Sequence, residues 1–441
     1  MIKLNPHQQI AVDFMKKHKR LLLYHQAGSG KTITSLSCVY HAPNPIIVIG
    51  TKSSNKAFSD DITKAKFNKD RITFYTFTKL KTLIVKNISI FKDSSVIIDE
   101  AHNLRTENMY NLYIASALMV AERVVLATAT AIVNYMNDLS VLINIIKRGD
   151  VLPTDRHLFD QMFYDEQKME LINKQILSDK LSNAISYYKV EDRENYPTTT
   201  TRYMSVEMNY IQLEEYRNYI KKIIYDNRDI VDTATVFNID YAQLPNKKRN
   251  TFLTITRQLS NSVNNTEISP KVQQIFDIVQ KGPFPAIIYS NFLENGIYPL
   301  AILLLKHQQT HTLITGSTTK TKLDTIVNNY NNGKYNVLLL SSAGSESLDL
   351  KNTRQIHIME PHWNEARADQ VIGRSDRYKS HSSLPKSQRN VTIYRWLSVF
   401  PSHIKNMSAD QYLTLLSQRK IENIQRYIQI LIDSSIENNI F

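Results

Sequence analysis

The sequence predicts an α/β protein with two parallel-sheet lobes, a helical connector between them and a C-terminal helix. Three observations carry this. Short apolar runs alternate with helical patterns over the first 150 residues, the alternation returns from Ser269 onward, and the stretch between has few strand-like runs and more charge. The boundaries read as 1–200 for the first lobe, 201–268 for the connector and 269–441 for the second lobe.

In the first lobe the strand candidates are Leu21-Leu22-Leu23-Tyr24, Ile46-Ile47-Val48-Ile49, Ile72-Thr73-Phe74-Tyr75, Val96-Ile97-Ile98 and Val124-Val125-Leu126. They are near-continuous apolar runs rich in β-branched residues, as expected of strands covered on both faces. Asn173 to Tyr188 and Ile211 to Tyr225 read as helices, and Asn246-Lys247-Lys248-Arg249-Asn250 as an exposed basic turn. In the second lobe Ser269-Pro270 opens a helix, with serine at the cap and proline in the first turn. The strands expected there are Ala286–Tyr289, His311–Ile314, Val337–Leu340, Gln355–Ile358 and Val391–Tyr394. Ile421, Ile424, Ile428, Leu431 and Ile432 have helical spacing and are expected to pack on the second lobe.

The 441 residues include 42% hydrophobic residues, enough for a sizeable core. The net charge of +13 favours a polyanionic partner, most often nucleic acid. Cys38 is the single cysteine, which rules out an intramolecular disulfide, makes a Cys/His metal cluster improbable and fits an intracellular setting. Met1 to Arg20 is polar with scattered charge, unlike a secretory leader, and the best apolar run, Leu300 to Leu305, is too short to span a membrane.

Chemistry concentrates in four motifs. His25-Gln26-Ala27-Gly28-Ser29-Gly30-Lys31-Thr32 joins a strand to a helix, the context a phosphate loop requires. Backbone N–H groups of Ala27, Gly28, Ser29 and Gly30 would cradle the phosphates of ATP, Lys31 would reach the β- and γ-phosphates, and the Thr32 hydroxyl would bind Mg²⁺. The general pattern has glycine where this chain has His25. Asp99-Glu100-Ala101-His102 follows a strand: Asp99 can hold Mg²⁺ through water and Glu100 can orient the attacking water. Thr128-Ala129-Thr130 follows the next strand, and its hydroxyls could contact His102 or Asp99 and pass the nucleotide state onward. Gln370-Val371-Ile372-Gly373-Arg374-Ser375-Asp376-Arg377 lies far downstream. Arg374 and Arg377, spaced i,i+3, would share a helix face and suit the charge on a transferred phosphoryl group. Splitting an ATP site over two distant segments points to a motor. Only ten glycines occur in the chain, and Gly28, Gly30, Gly344 and Gly373 fall in these motifs.

Together these motifs resemble those of the superfamily 2 helicases, from Leu4 to about Trp396. The resemblance implies two tandem RecA-like lobes, with Gln8 in Leu4-Asn5-Pro6-His7-Gln8 as the adenine reader. Within the superfamily the chain looks most like the Swi/Snf-like ATPases of large DNA viruses, the group of poxvirus nucleoside triphosphate phosphohydrolase I and the early transcription factor small subunit. This narrower likeness rests on Asp99 through Arg105, Thr130-Ala131-Ile132-Val133-Asn134, Ser341 through Glu346 and Tyr378 through Pro385. The resemblance gives Gln370, Arg374 and Arg377 catalytic roles beside Lys31, Asp99 and Glu100. It gives Gly344 and Asp349 nucleotide contacts, and His102, Thr128 and Thr130 coupling roles. One departure is Ser347, where family members often have glycine.

By the same resemblance Thr51, Lys52, Thr78, Ser290, Asn291 and Thr315 are expected at the nucleic acid, since small hydroxyl and amide groups after strands suit phosphate contacts. Lys247, Lys248 and Arg249 would add a sequence-independent attraction. Core packing is the better reading of Trp363 and Trp396 than base stacking. The expected activity is an ATP-dependent motor on DNA, translocase before helicase, serving viral transcription. The expected setting is a virion or host cytoplasm, with a viral RNA polymerase or transcription factor subunit, and no membrane, as partner. The alternatives are an RNA helicase with the same catalytic residues and an ATP-binding scaffold subunit without catalysis.

Overall fold

A computed structural model describes residues 3–26, 28–105, 108–132, 135–165, 170–189, 194–224, 236–241, 243–342, 348–362 and 366–438. The chain divides into two compact units, 1–191 with 419–441, and 192–418. Each is built on a six-stranded parallel sheet.

In the first unit the principal elements are α1 (Pro6–Lys17), β1 (Arg20–His25), α2 (Lys31–Tyr40), β2 (Ile46–Gly50), α3 (Lys52–Ala65), β3 (Ile72–Thr76), α4 (Phe77–Ile84), β4 (Ser95–Asp99), α5 (Met109–Leu118), β5 (Arg123–Thr128), α6 (Ser140–Lys147), α7 (Arg156–Phe163), α8 (Lys174–Leu181) and β6 (Ile185–Tyr188). The strand order is β3-β2-β4-β5-β1-β6. Alternate residues of each strand enter opposite cores. Leu22, Ile47, Ile98 and Leu126 pack on one face, and Leu21, Leu23, Val48, Ile97 and Val125 on the other. This two-sided burial explains why the strands read as unbroken apolar runs rather than alternating ones.

The second unit contains β7 (Thr198–Glu207), α9 (Tyr210–Ile224), α10 (Asn246–Asn261), α11 (Pro270–Val279), β8 (Ala286–Ser290), α12 (Tyr298–Lys306), β9 (His311–Ile314), α13 (Lys320–Asn331), β10 (Val337–Ser341), β11 (Gln355–Ile358), α14 (Ala366–Ser375) and β12 (Asn390–Val399), in strand order β9-β10-β8-β11-β12-β7. Ser269 caps α11, its hydroxyl accepting from Val272 N at 3.2 Å, as the Ser-Pro pair predicts. A buried polar knot holds the sheet to its helices. Lys271, 1% exposed, donates to Asp410, 0% exposed, at 2.9 Å, and Glu360 accepts from Asn261, Ser290 and Asn291. A helical cluster of Tyr216, Phe237, Phe252, Phe400 and Leu413 belongs to the same unit.

Four expectations are corrected. Asn173 to Tyr188 is α8 followed by strand β6, because the chain leaves the helix at Ser182 and Asn183 adopts a left-handed backbone. The region assigned to lobe one and a separate connector supplies β7, which lies parallel to β12 from Thr198 opposite Asn390 to Glu207 opposite Val399. As an edge strand with a mostly exposed face, Thr198-Thr199-Thr200-Thr201 lacks the apolar run used to find the others. The basic Asn246–Asn250 run is the first turn of α10, not a free turn. Finally, α15 (Ala409–Asp433) begins in the second unit, but Tyr427, Ile430 and Leu431 sit in the first unit's core, with Ile424 and Ile428 against it. Helical spacing identifies an apolar stripe without saying which core receives it. Among the described residues no helix is long and apolar enough to cross a membrane.

Candidate ATP-hydrolysis and nucleic-acid sites

The phosphate loop leaves β1 at His25 and enters α2 at Lys31. Gly28 and Gly30 have φ of 80° and 83°, values that favour glycine, and Gly30 forms the N-cap of α2. Ala27 lies outside the described residues. Lys31 Nζ donates to the carbonyls of His25 at 2.9 Å and Gln26 at 3.1 Å, so the ammonium is held at the loop itself, where an anionic phosphate would draw it. Thr32 is half-buried one residue further along the helix's first turn.

Helix α1 closes over the loop. Gln8 accepts from Asn5 N at 2.8 Å and donates to the carbonyls of Ser29 and Gly30, each at 3.4 Å. His7 bonds Ser29 O through Nε2 at 3.2 Å and stacks on Tyr188 at 3.5 Å between ring centres.

Asp99 ends β4, and Glu100 follows with φ 52°. A left-handed backbone at a residue with a side chain costs about 1–3 kcal/mol and turns the Glu100 carboxylate out of the strand direction. Burial, and then the neighbouring Glu100 charge, raise the Asp99 pKa, while the Ser54 hydroxyl and the Lys31 charge lower it. A half-buried carboxylate beside a second carboxylate is a setting that a divalent cation would relieve. With the Thr32 hydroxyl, this donor set fits Mg²⁺. Gly50 keeps the approach tight: a Cβ there would lie 2.9 Å from Ser54 Cβ and 3.4 Å from Asp99 Cβ.

His102 links this motif to the next. Its Nδ1 lies 3.1 Å from Thr128 Oγ1, 3.2 Å from Thr130 Oγ1 and 3.4 Å from Glu100 Oε2, and Thr130 N donates to Thr128 Oγ1 at 3.0 Å. Burial, then the Arg105 charge, lower the His102 pKa to about 4, with Asp99 opposing, so the ring is neutral near pH 7. The three residues expected to couple the motifs are thus in direct contact.

In the second unit Gln370 is exposed and Arg374 half-buried, both on α14. Arg377 lies beyond that helix, which corrects the shared helical face. The turn after Ser375 redirects the chain, and Arg377 Nε donates back to Gly373 O at 3.1 Å. Arg377 Nη1 is 3.7 Å from Asp349 Oδ1, joining two expected site residues. Gly344 and Ser347 lie outside the described residues.

A cleft of about 550 Å³ on the first unit is lined by Gly50, Thr51, Lys52, Thr76, Phe77, Thr78, Lys79 and Thr82. The N-termini of α3 and α4 open onto it, capped by Thr51 (accepting from Ser54 N) and Thr76 (accepting from Lys79 N), each at 3.2 Å. Two helix N-termini with two lysines make an anion-binding surface. In the second unit Thr315 sits in a hydroxyl-rich turn with Ser317 and Thr318. Ser290 is fully buried, its hydroxyl on Glu360 at 2.9 Å, so the expected contact there falls to half-exposed Asn291. Trp396, 2% exposed, is a core residue bonded to His357 at 3.2 Å, while Trp363 lies outside the described residues. Sequence reading gave no role to His7, Ser54 or Tyr188, although His7 adjoins Gln8 in the Leu4–Gln8 motif and Ser54 lies three residues after the cap Thr51.

A glycine phosphate loop, an acidic pair at a strand end and a histidine tied to two threonines, on one of two parallel-sheet units, define a nucleotide-hydrolysing motor of helicase type. The SNF2-related domain family matches residues 38–268 and the helicase conserved C-terminal domain matches residues 270–379. The chain belongs to the SNF2-related helicase family, and it is an ATP-hydrolysing nucleic-acid motor. A protein of Acanthamoeba polyphaga mimivirus, provisionally named ATP-dependent RNA helicase L538, is 56% identical over 440 residues, covering 100% of this chain and 99% of its own length. An African swine fever virus protein named termination factor NPH-I homolog is 25% identical over 86% of this chain and 69% of its own. The Pyrococcus furiosus Hef helicase domain shares the fold, with a TM-score of 0.52 at 14% identity, covering 94% of this chain and 98% of that one.

Proposed function

We propose that the protein translocates on DNA and serves viral transcription. The observation that carries the nucleic-acid-backbone reading is the lysine-flanked cleft into which α3 and α4 direct their N-termini. Such a surface grips phosphates without reading bases, as a moving enzyme requires. The African swine fever virus relative's name, termination factor, supports a transcriptional role with a viral polymerase or transcription factor subunit as partner, in a virion or host cytoplasm.

In the proposed mechanism Gln8 reads the adenine, and the loop from Ala27 to Gly30 binds the phosphates. Lys31 leaves its carbonyl partners for the β- and γ-phosphates, and Thr32 and Asp99 would hold Mg²⁺, which would supply charge neutralisation on the phosphates. Glu100 orients the attacking water and takes its proton. Arg374 and Arg377, with Gln370, act on the developing phosphoryl charge, and Gly344 and Asp349 assist at the nucleotide. His102 passes loss of the γ-phosphate from Glu100 to Thr128 and Thr130. Thr51, Lys52, Thr78, Asn291 and Thr315 hold the nucleic-acid backbone.

Displacement of a third strand from a DNA triplex tests this. ATP-dependent displacement from duplex DNA is expected. An RNA track is the second reading, favoured by the name of the mimivirus relative. Unwinding of RNA with no displacement on DNA would select it.

A further inference from the structure

His25, where the general phosphate-loop pattern has glycine, is wholly buried at the foot of the loop. Its two ends hold the nucleotide machinery from both sides. The backbone carbonyl takes Lys31 Nζ at 2.9 Å, and the ring packs edge-on against His7, 5.6 Å between centres, whose Nε2 is on Ser29 O. The ring's own hydrogen bond runs away from the loop, from Nε2 to Ser186 Oγ at 2.7 Å. Ser186, also wholly buried, donates its hydroxyl proton to Glu437 Oε1, so its oxygen accepts from His25 Nε2–H. The other Glu437 oxygen accepts from Tyr187 N at 3.0 Å, and Ile436 N donates to Ile185 O at 2.9 Å. A carboxylate more than 400 positions along the chain thus fixes the ring orientation at the loop's foot.

We propose that Glu437 is a positioning residue of the nucleotide site, acting through Ser186 and His25 to hold the phosphate loop in its binding form. Burial favours the protonated acid at Glu437, so the carboxylate is there at a cost that its two hydrogen bonds offset. The segment after α15 would then set how tightly the loop grips ATP, without touching the reacting atoms. The inference rests on the ATP site assigned above.

The test uses the full chain, with a fluorescent ATP analogue titrated directly and ATP hydrolysis measured in parallel. Glu437→Ala and Ser186→Ala should each raise the nucleotide Kd and the KM for ATP roughly tenfold, with kcat at saturating ATP within about twofold of wild type. The double variant should be no worse than the weaker single one, because both remove the same link. Melting curves establish that each variant is folded at the assay temperature, and Glu437→Gln, which keeps the side chain's size, provides a milder version. Kd and KM unchanged in the single variants, whatever happens to the melting temperature, would overturn the inference, as would additive effects. A wild-type protein that does not bind the analogue would instead sink the ATP-site assignment, and this proposal with it.

Discussion

Gly30→Ala tests whether the phosphate loop works in the conformation described. Gly30 has φ of +83°, and a Cβ there would lie 2.5 Å from Gln8 Nε2 and 3.5 Å from Ile33 Cγ2. A left-handed backbone costs an L-residue about 1–2 kcal/mol. Gln8 must also swing away, losing bonds to Asn5 and the loop carbonyls worth about 1 kcal/mol net. If the loop escapes this total of about 2–3 kcal/mol by leaving its binding form, nucleotide affinity falls roughly 30- to 150-fold. Gly333→Ala separates strain from function. That residue has φ of +73° with nothing within 4 Å of a Cβ, so the substitution should lower the melting temperature and leave nucleotide affinity alone. Titration of a fluorescent ATP analogue reads both. Binding by Gly30→Ala within about threefold of wild type would refute the reasoning.

Three further outcomes are expected. Burial lowers the pKa of His25 and His357 to about 3 and of His102 to about 4, so these rings stay neutral in the fold while the unfolded chain takes up protons near pH 6.5. Stability is therefore full above pH 6.5 and falls below it, by about 2 kcal/mol per ring at pH 5; melting temperatures that do not drop between pH 7.5 and 5 would contradict this. Lys271→Met leaves Asp410 buried without its cation and should cost about 3–5 kcal/mol in urea unfolding, most of it recovered by adding Asp410→Leu. Arg374→Ala should bind the ATP analogue normally in titration yet hydrolyse ATP on the order of a thousandfold more slowly in single-turnover assays.

The sequence made the central strands legible because both of their faces are covered, so Leu21–Tyr24, Val96–Ile98 and Val337–Leu340 are uninterrupted apolar runs. It could not reveal β7 in the same way, since Thr198–Thr201 lies exposed at a sheet edge and is held by backbone pairing with β12. The phosphate loop, the acidic pair and the His102 contacts were legible because each is set by residues close together in the chain or by strand ends that a parallel sheet aligns. Arg377 was placed on a helix because i,i+3 spacing does not show where a helix stops. Ser186 and Glu437 gave no signal, because their relation to His25 exists only after folding joins segments 161 and 251 residues apart.

The central claim is that nucleic acid drives ATP hydrolysis at Glu100. Steady-state hydrolysis by wild type and Glu100→Gln, with no nucleic acid, single-stranded DNA, duplex DNA and RNA, tests it most directly. Strong stimulation of wild type by DNA, absent in Glu100→Gln, is the predicted result. A wild-type rate indifferent to every nucleic acid, or a Glu100→Gln protein as active as wild type, would contradict the account.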